Sequence, residues 1–184
     1  MIQLSILICA TSSRLQVMEP LVKSLSNQLI PHSEDVEILI DYDEFNTVGK
    51  KRHDLLLRSS GKYCVAIDTD DEIADNYIEL ILEACKLDAD CIGINGVITT
   101  NGVNPKVWFI SKEYGSWFER DQVYYRTPNH ISPVKRELAL MAGFPDISFG
   151  EDYEYSMRLL PLLTSETIIT EPLYHYKYRN DERK

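Results

Sequence analysis

Three observations predict an α/β fold with a mostly parallel central sheet and helices on both faces. Short apolar runs of β-like composition alternate with stretches of helical periodicity through the first half of the chain. Each of the first three apolar runs ends in a strongly polar loop, as strands do along the ligand-binding edge of an open α/β sheet. The 184 residues suffice for one domain with a sizeable core but would cramp two.

Residues 4–10 read as the first strand. Behind it Met18, Leu21, Val22, Leu25 and Leu29 recur at helical spacing, with Pro20 expected in the first turn, where its missing N–H costs nothing. Residues 36–40 form a second strand, and a helix over 48–60 is expected to end at Gly61 in the C′ position. Residues 63–67 read as a third, fully buried strand. Asp75 is placed to cap the next helix, whose apolar face is Ile78, Ile81, Leu82 and Cys85, and residues 91–98 give a fourth strand.

The texture changes after Thr99. Asn101-Gly102 is a tight-turn signal between β-like runs, and Trp108, Tyr114, Trp117, Tyr124 and Tyr125 crowd into a loop-rich stretch. Ser132-Pro133 reads as an N-cap with Pro at N1 for a short helix through Met141 that Gly143 stops. Residues 151–160 give a further helix ended by Pro161, residues 167–169 and 173–178 finish as strands, and the tail RNDERK reads as frayed. No repeat or linker divides the chain, so residues 1–98 and 99–184 are expected to be lobes of a single domain.

Lys plus Arg number 19 against 29 for Asp plus Glu, a net charge of −10 that argues against a general affinity for nucleic acid or anionic lipid. Apolar runs such as SILICA fall far short of a membrane span, so no integral membrane segment is expected. The opening MIQLSILICA lacks the basic n-region and cleavage site of a secretory signal. Cys9, Cys64, Cys85 and Cys91 form no CxxC pair and suit buried free thiols in a reducing, cytoplasmic setting.

The polar loops at the strand ends are Thr11-Ser12-Ser13-Arg14, Asp41-Tyr42-Asp43-Glu44 and Asp68-Thr69-Asp70-Asp71-Glu72. Strand ends meeting water account for any one of them taken alone. The third is harder to explain so, because its crowded carboxylates repel one another unless a divalent cation with oxygen ligands, Mg²⁺ or Mn²⁺, sits among them. An EF-hand fails, since Ile73 stands where the sharp turn needs Gly and the preceding YCVAI reads as a strand. Zinc is disfavoured by four widely spaced histidines and unpaired thiols.

In this order SILICATSSR, VEILIDYDE, VGKKRHDLLLRSSGKYCVAIDTDDEI, FGEDYEYSMRL and LYHYKYR resemble the GT-A fold glycosyltransferases, closest to family 2. The resemblance covers nearly the whole chain and is weakest over 99–127. It implies a GT-A type sheet with a smaller acceptor-side lobe, and a metal-dependent, inverting transfer of a hexose from a nucleotide sugar, a UDP-sugar above all, to an acceptor hydroxyl. On this resemblance Asp68 and Asp70 are the DxD pair that binds the metal and the ribose-diphosphate, with Asp70 the direct ligand. Asp41 or Asp43 contacts the base, the Thr11, Ser12 and Arg14 loop runs along the nucleotide, and Arg52 supplies the basic residue of the following helix. The chemistry agrees, because a nucleoside diphosphate leaves poorly beside so many carboxylates unless a cation neutralises it.

Asp or Glu in the first turn of a helix ordinarily serves the helix dipole. The resemblance instead makes Asp152 the general base for the acceptor hydroxyl and Glu151 an orienting residue. It also makes His175 a further metal ligand, with Arg179 at that place in a second alignment and His130 an alternative. Trp108, Trp117, Tyr124 and Tyr125 fall on the acceptor side, where their rings suit either sugar stacking or packing under a long loop. Two rivals remain open at this point. One is a non-catalytic nucleotide-sugar or glycan-binding module; the other is a sugar nucleotidyltransferase, disfavoured because CATSSRLQVMEP has no glycine.

Overall fold

A computed structural model describes residues 1–179; of the predicted frayed tail, residues 180–184 lie outside the described residues. The chain runs β1 (Leu4–Cys9), α1 (Leu15–Leu29), β2 (Val36–Asp41), α2 (Val48–Arg58), β3 (Tyr63–Ala66), β4 (Glu72–Ile73), α3 (Tyr77–Cys85) and β5 (Cys91–Thr100). It continues through β6 (Val103–Ile110), β7 (Phe118–Arg120), β8 (Val123–Arg126), β9 (Val134–Lys135), α4 (Arg136–Ala142), α5 (Glu151–Leu159) and β10 (Glu166–Tyr178).

The alternation along β1 sets the layers. Leu4, Ile6 and Ile8 pack with Met18, Leu21 and Leu25 of α1 and Ile78 and Ile81 of α3. Leu7 points to the opposite face and joins Leu55 and Leu56 of α2, Ala139 of α4, and Tyr155 and Leu159 of α5. Helices therefore cover both faces of the sheet, as predicted.

β2, β1 and β3 run parallel, and β5 pairs in parallel with β10 along most of its length. The two-residue β9 is wedged antiparallel between β3 and β5, so the central sheet is mostly parallel with short antiparallel insertions. β6 returns antiparallel to β5 through Asn101 and Gly102, whose φ values of 51° and 76° suit the expected tight turn. β8 and β7 extend this outer part, and β4 pairs antiparallel with β10.

Several local expectations are corrected. α1 begins at Leu15, directly after a 3-10 turn, so Pro20 lies inside the helix; it is exposed, where the bond it removes can be replaced by water. α2 ends at Arg58, and Gly61 is needed for close approach instead of a left-handed turn, since a Cβ there would lie 2.6 Å from Ser5 N. Asp75 does not cap α3. Gln28 of α1 does, its Oε1 accepting from Ile78 N at 3.0 Å while its Nε2 donates to Ala74 O at 2.9 Å. α4 starts at Arg136 because Val134 and Lys135 are drawn into the sheet, and Ser132 instead closes a turn with Asn129. The two closing strands are one, β10, in which Pro172 sits at a register irregularity.

Candidate functional site

The loops after β1, β2 and β3 meet the N-terminus of α5 along one edge, and α2 ties them together. Thr47 caps α2, its side chain accepting from Lys50 N, and the following turns present Val48, Lys51, Arg52, Leu55 and Leu56 on one face. Lys51 and Arg52 are thereby buried alongside the leucines. Lys50 turns outward to pair with Asp54. Lys51 Nζ donates to the carbonyl of Ala10 and, at 2.6 Å, to that of Asp43, joining the ends of the first and second loops. Helical spacing could have revealed these buried cations, which a basic run on a surface helix conceals.

In the first loop Thr11 Oγ1 and Ser13 Oγ share a hydrogen bond of 2.9 Å, Ser12 N donates to Glu44 at 2.6 Å, and Arg14 lies 3.4 Å from Asp70 Oδ2. In the second, Asp41 Oδ1 accepts from Asp43 N at 2.8 Å, and Asp43 Oδ1 accepts from Phe45 N and Asn46 N, bonds that hold the Asp43 carboxyl below its ordinary range. Asp41 and Asp43 thus both shape their own loop.

Asp68 is the junction of the site. Its Oδ1 accepts from Arg52 Nη2 at 2.7 Å, and its Oδ2 lies 3.3 Å from His130 Nε2. Arg52 Nη1 reaches Glu151, and His130 Nδ1, buried without a hydrogen-bond partner among the described residues, stands 3.9 Å from Asp152 Oδ2. The acidic loop is therefore tied to Glu151 through Arg52, and His130 stands between it and Asp152. Withdrawal from water works to raise the Asp68 pKa, but Arg52 and His130 outweigh it and hold the carboxyl well below the usual range. Burial likewise opposes the Arg52 charge, yet Asp68 and Glu151 raise its pKa. Burial pushes Glu151 up despite Arg52.

Asp71 faces inward, where Tyr174 OH donates to its Oδ2 and Lys177 N to its Oδ1, each at 2.7 Å. Burial and the neighbouring Asp68 charge push it up to about 8. Tyr174 OH also accepts from Asp68 N at 3.2 Å, so one hydroxyl of β10 secures both ends of the acidic loop.

The next residue of β10 points the other way. His175 Nδ1 lies 3.1 Å from Glu72 and its Nε2 3.0 Å from Thr99 Oγ1, so the structure does not bring His175 to Asp68 and Asp70. His130 occupies that position instead. Strand alternation was the available signal, because Tyr174 facing the loop turns His175 away. Trp117 and Tyr124 stand beside Arg126 near α5, Trp108 packs edge-on against Tyr174 in the core, and Tyr125 stacks on Phe118.

Among the described residues no three His, Cys, Asp or Glu side chains converge to hold a metal ion. The oxygens of Asp68 are engaged by Arg52 and His130, whereas Asp70 keeps its 3.4 Å contact with Arg14 through one oxygen. Asp68 and Asp70 offer an all-oxygen donor set, which suits Mg²⁺ or Mn²⁺. These residues fit a divalent cation that takes most of its ligands from elsewhere. Among the described residues no helix is long and apolar enough to cross a membrane.

No family model and no curated protein matches the sequence. Solved structures match in shape. Staphylococcus aureus TarS 1-349 in complex with UDP superposes with a TM-score of 0.74 at 15% identity, over 96% of this chain and 60% of that one. The same protein in complex with UDP-GlcNAc gives 0.68 at 11% identity, over 97% and 59%. The longer TarS structure gives 0.70 at 14% identity, and this chain spans 37% of it. The chain thus covers well under two thirds of these structures, and at such identity the likeness establishes the fold: an α/β architecture of the GT-A type, with a mostly parallel central sheet.

Proposed function

We propose that this chain is the donor-binding and catalytic domain of a metal-dependent, inverting glycosyltransferase that moves a hexose from a UDP-sugar to an acceptor hydroxyl. The observation that carries the reading is the double connection of Asp68, through Arg52 to Glu151 and beside His130 to Asp152. It supports a donor-side acidic loop and a candidate base sharing one edge of the sheet. The UDP and UDP-GlcNAc complexes of the structurally similar TarS support the donor class.

In this reading Thr11, Ser12 and Arg14 line the nucleotide and Asp41 or Asp43 meets the base. Asp70, with Asp68 behind it, would hold Mg²⁺ or Mn²⁺ together with diphosphate oxygens, and the cation would neutralise the departing diphosphate. Asp152 accepts the proton of the acceptor hydroxyl as that oxygen attacks the anomeric carbon from the side opposite the diphosphate. Glu151, held by Arg52, fixes the start of α5 and so aims Asp152.

Thermal unfolding with UDP, UDP-hexoses and other nucleotides, each with and without Mn²⁺, tests the donor. A metal-dependent rise for a UDP-sugar that disappears in Asp70→Asn is expected. An unchanged rise in that variant would reject the metal assignment, and no rise with any nucleotide would favour a glycan-binding module. Product configuration by NMR tests inversion, which a retained anomer would overturn.

A further inference from the structure

Arg126, at the end of β8, is half-buried and has an unusual set of neighbours. Its guanidinium lies 5.0 Å from the ring centroids of both Trp117 and Tyr124. Nη1 is anchored by the carbonyls of Phe118 and Tyr125, at 3.2 and 3.0 Å. Nε and Nη2 have no partner, and no carboxylate lies within ion-pair distance of Arg126, among the described residues. Other cations differ: Arg52 is paired with Asp68 and Glu151, and Lys106, over the same Tyr124 ring, is paired with Glu119 at 2.6 Å. Burial lowers the Arg126 pKa, with Tyr124, Glu119 and Asp152 acting against it only in part. In a chain of net charge −10, a held and unneutralised guanidinium stands out.

Its position links it to the site. Trp117 stacks edge-on against Tyr153, with ring centroids 5.3 Å apart, and Tyr153 follows Asp152 on α5. Trp117 Nε1 donates to Thr127 Oγ1 at 2.9 Å, and Thr127 opens the segment that reaches His130. Trp117 thus holds one flank of the guanidinium and touches the helix that carries the candidate base.

We infer that Arg126, held between Trp117 and Tyr124, is an oxyanion subsite on the acceptor side, so that the acceptor carries a phosphate or carboxylate group near the hydroxyl to be modified. This rests on the glycosyltransferase reading for the word acceptor, but the binding itself does not. A guanidinium held by two carbonyls through Nη1 and flanked by two aromatic rings, with Nε and Nη2 still able to donate, loses little freedom on taking an oxyanion. A lysine offers no such fork. In the proposed reading the donor diphosphate falls instead to Arg14 and the cation at Asp70, side chains 3.4 Å apart in the loops after β1 and β3. An anion at Arg126 would place the rest of its molecule over Trp117 and Tyr153, next to Asp152.

The test uses the indole N–H of Trp117, a separate NMR signal from that of Trp108. The intact protein is titrated with glucose, glucose 6-phosphate, glucuronate and inorganic phosphate, in wild type, Arg126→Met and Arg126→Lys, with UDP plus Mn²⁺ binding followed separately by thermal shift. Saturable movement of the Trp117 signal with glucose 6-phosphate or glucuronate is expected, at least about tenfold tighter than with glucose, as one charge-assisted pair implies. Arg126→Met should abolish the preference and Arg126→Lys retain part of it. The two anionic sugars against each other identify phosphate or carboxylate as the preferred group. Equal response to glucose, or an anion response that survives in a folded Arg126→Met protein, overturns the proposal. Anion binding without any UDP binding would overturn the donor reading and leave the subsite standing.

Discussion

Arg52 Nη2 donates to Asp68 Oδ1 at 2.7 Å while its Nη1 reaches Glu151, so one buried guanidinium neutralises carboxylates from two distant segments. Such a pairing adds little over a well-packed apolar core, but removing one partner leaves buried charge behind. Arg52→Met should therefore lose about 3–5 kcal/mol of unfolding free energy in urea. Arg52→Lys should lose most of this too, because an ammonium cannot fork between the two acids. A loss below about 1 kcal/mol for Arg52→Met would place the pair with exposed ion pairs.

Asp152 carries the proposed base function; its carboxylate accepts from Tyr153 N at 2.8 Å within α5 and stands 3.9 Å from His130 Nδ1. Asp152→Asn should lower turnover about 10²- to 10⁴-fold while UDP affinity by calorimetry changes less than about twofold. A comparable fall in UDP affinity would move Asp152 from catalysis to donor binding.

Asp71 gives stability a pH dependence of defined sign. Its folded pKa is raised from 3.8 to about 8, so between those values the folded protein holds a proton that the unfolded chain has released. Stability from this group falls as pH rises through that window and levels off above it. The urea midpoint of Asp71→Asn relative to wild type should therefore climb between pH 5 and pH 9, starting below zero because the Asn amide has one acceptor oxygen for the two donors, Tyr174 OH and Lys177 N. A difference that does not vary with pH would show that the two donors keep Asp71 ionised.

The cysteines should be inert in the native protein. Burial pushes Cys9 up to about 12, Cys64 to about 11 and Cys85 to about 12, and raises Cys91 as well. Iodoacetamide at pH 7.5 should label none of the four at a measurable rate until denaturant is added. Rapid labelling of Cys9, the least buried, would show that the β1 end opens in solution.

Gly49 is the tightest joint between α2 and the segment leading to α5. A Cβ there would lie 1.9 Å from Pro145 O and 2.8 Å from Ile147 O, and Gly49 N already donates to Ile147 O at 3.0 Å. Gly49→Ala should displace residues 145–150 and lower turnover more than UDP binding, at a stability cost of about 1–3 kcal/mol. Equal losses in both would indicate that α2 itself had shifted.

The long elements were legible because periodicity repeats along them: β1, α1, β2, α2, β3, α3 and β5 all appear where apolar spacing puts them. β4 and β9, two residues each, carry no period and exist only through their partners. Pro172 mimicked a strand end, yet β10 absorbs it as an irregularity. In the site, the residue types and their loops could be read, but not the partners. Arg52 is expected in the site, but its pairing with Asp68 and Glu151 and the burial of Lys51 are not, and strand alternation alone hints that His175, which meets Glu72 and Thr99, turns away from the loop that His130 meets at Asp68. Such pairings are long-range, and only the closed sheet defines them.

The bonds from Tyr174 and Lys177 to Asp71 span 103 and 106 positions of sequence. Synthesis runs from the N-terminus, so the acidic loop leaves the ribosome long before the strand that fastens it has been made. A nascent chain that has finished β3 and α3 already carries its crowded carboxylates, but without β10 nothing holds Asp71 inward. The inward setting of Asp71 therefore waits for the docking of β10. Arrested chains of increasing length, tested for the donor binding proposed above, should gain it once β10 is available to dock, and gain of binding before Tyr174 is available would overturn this order.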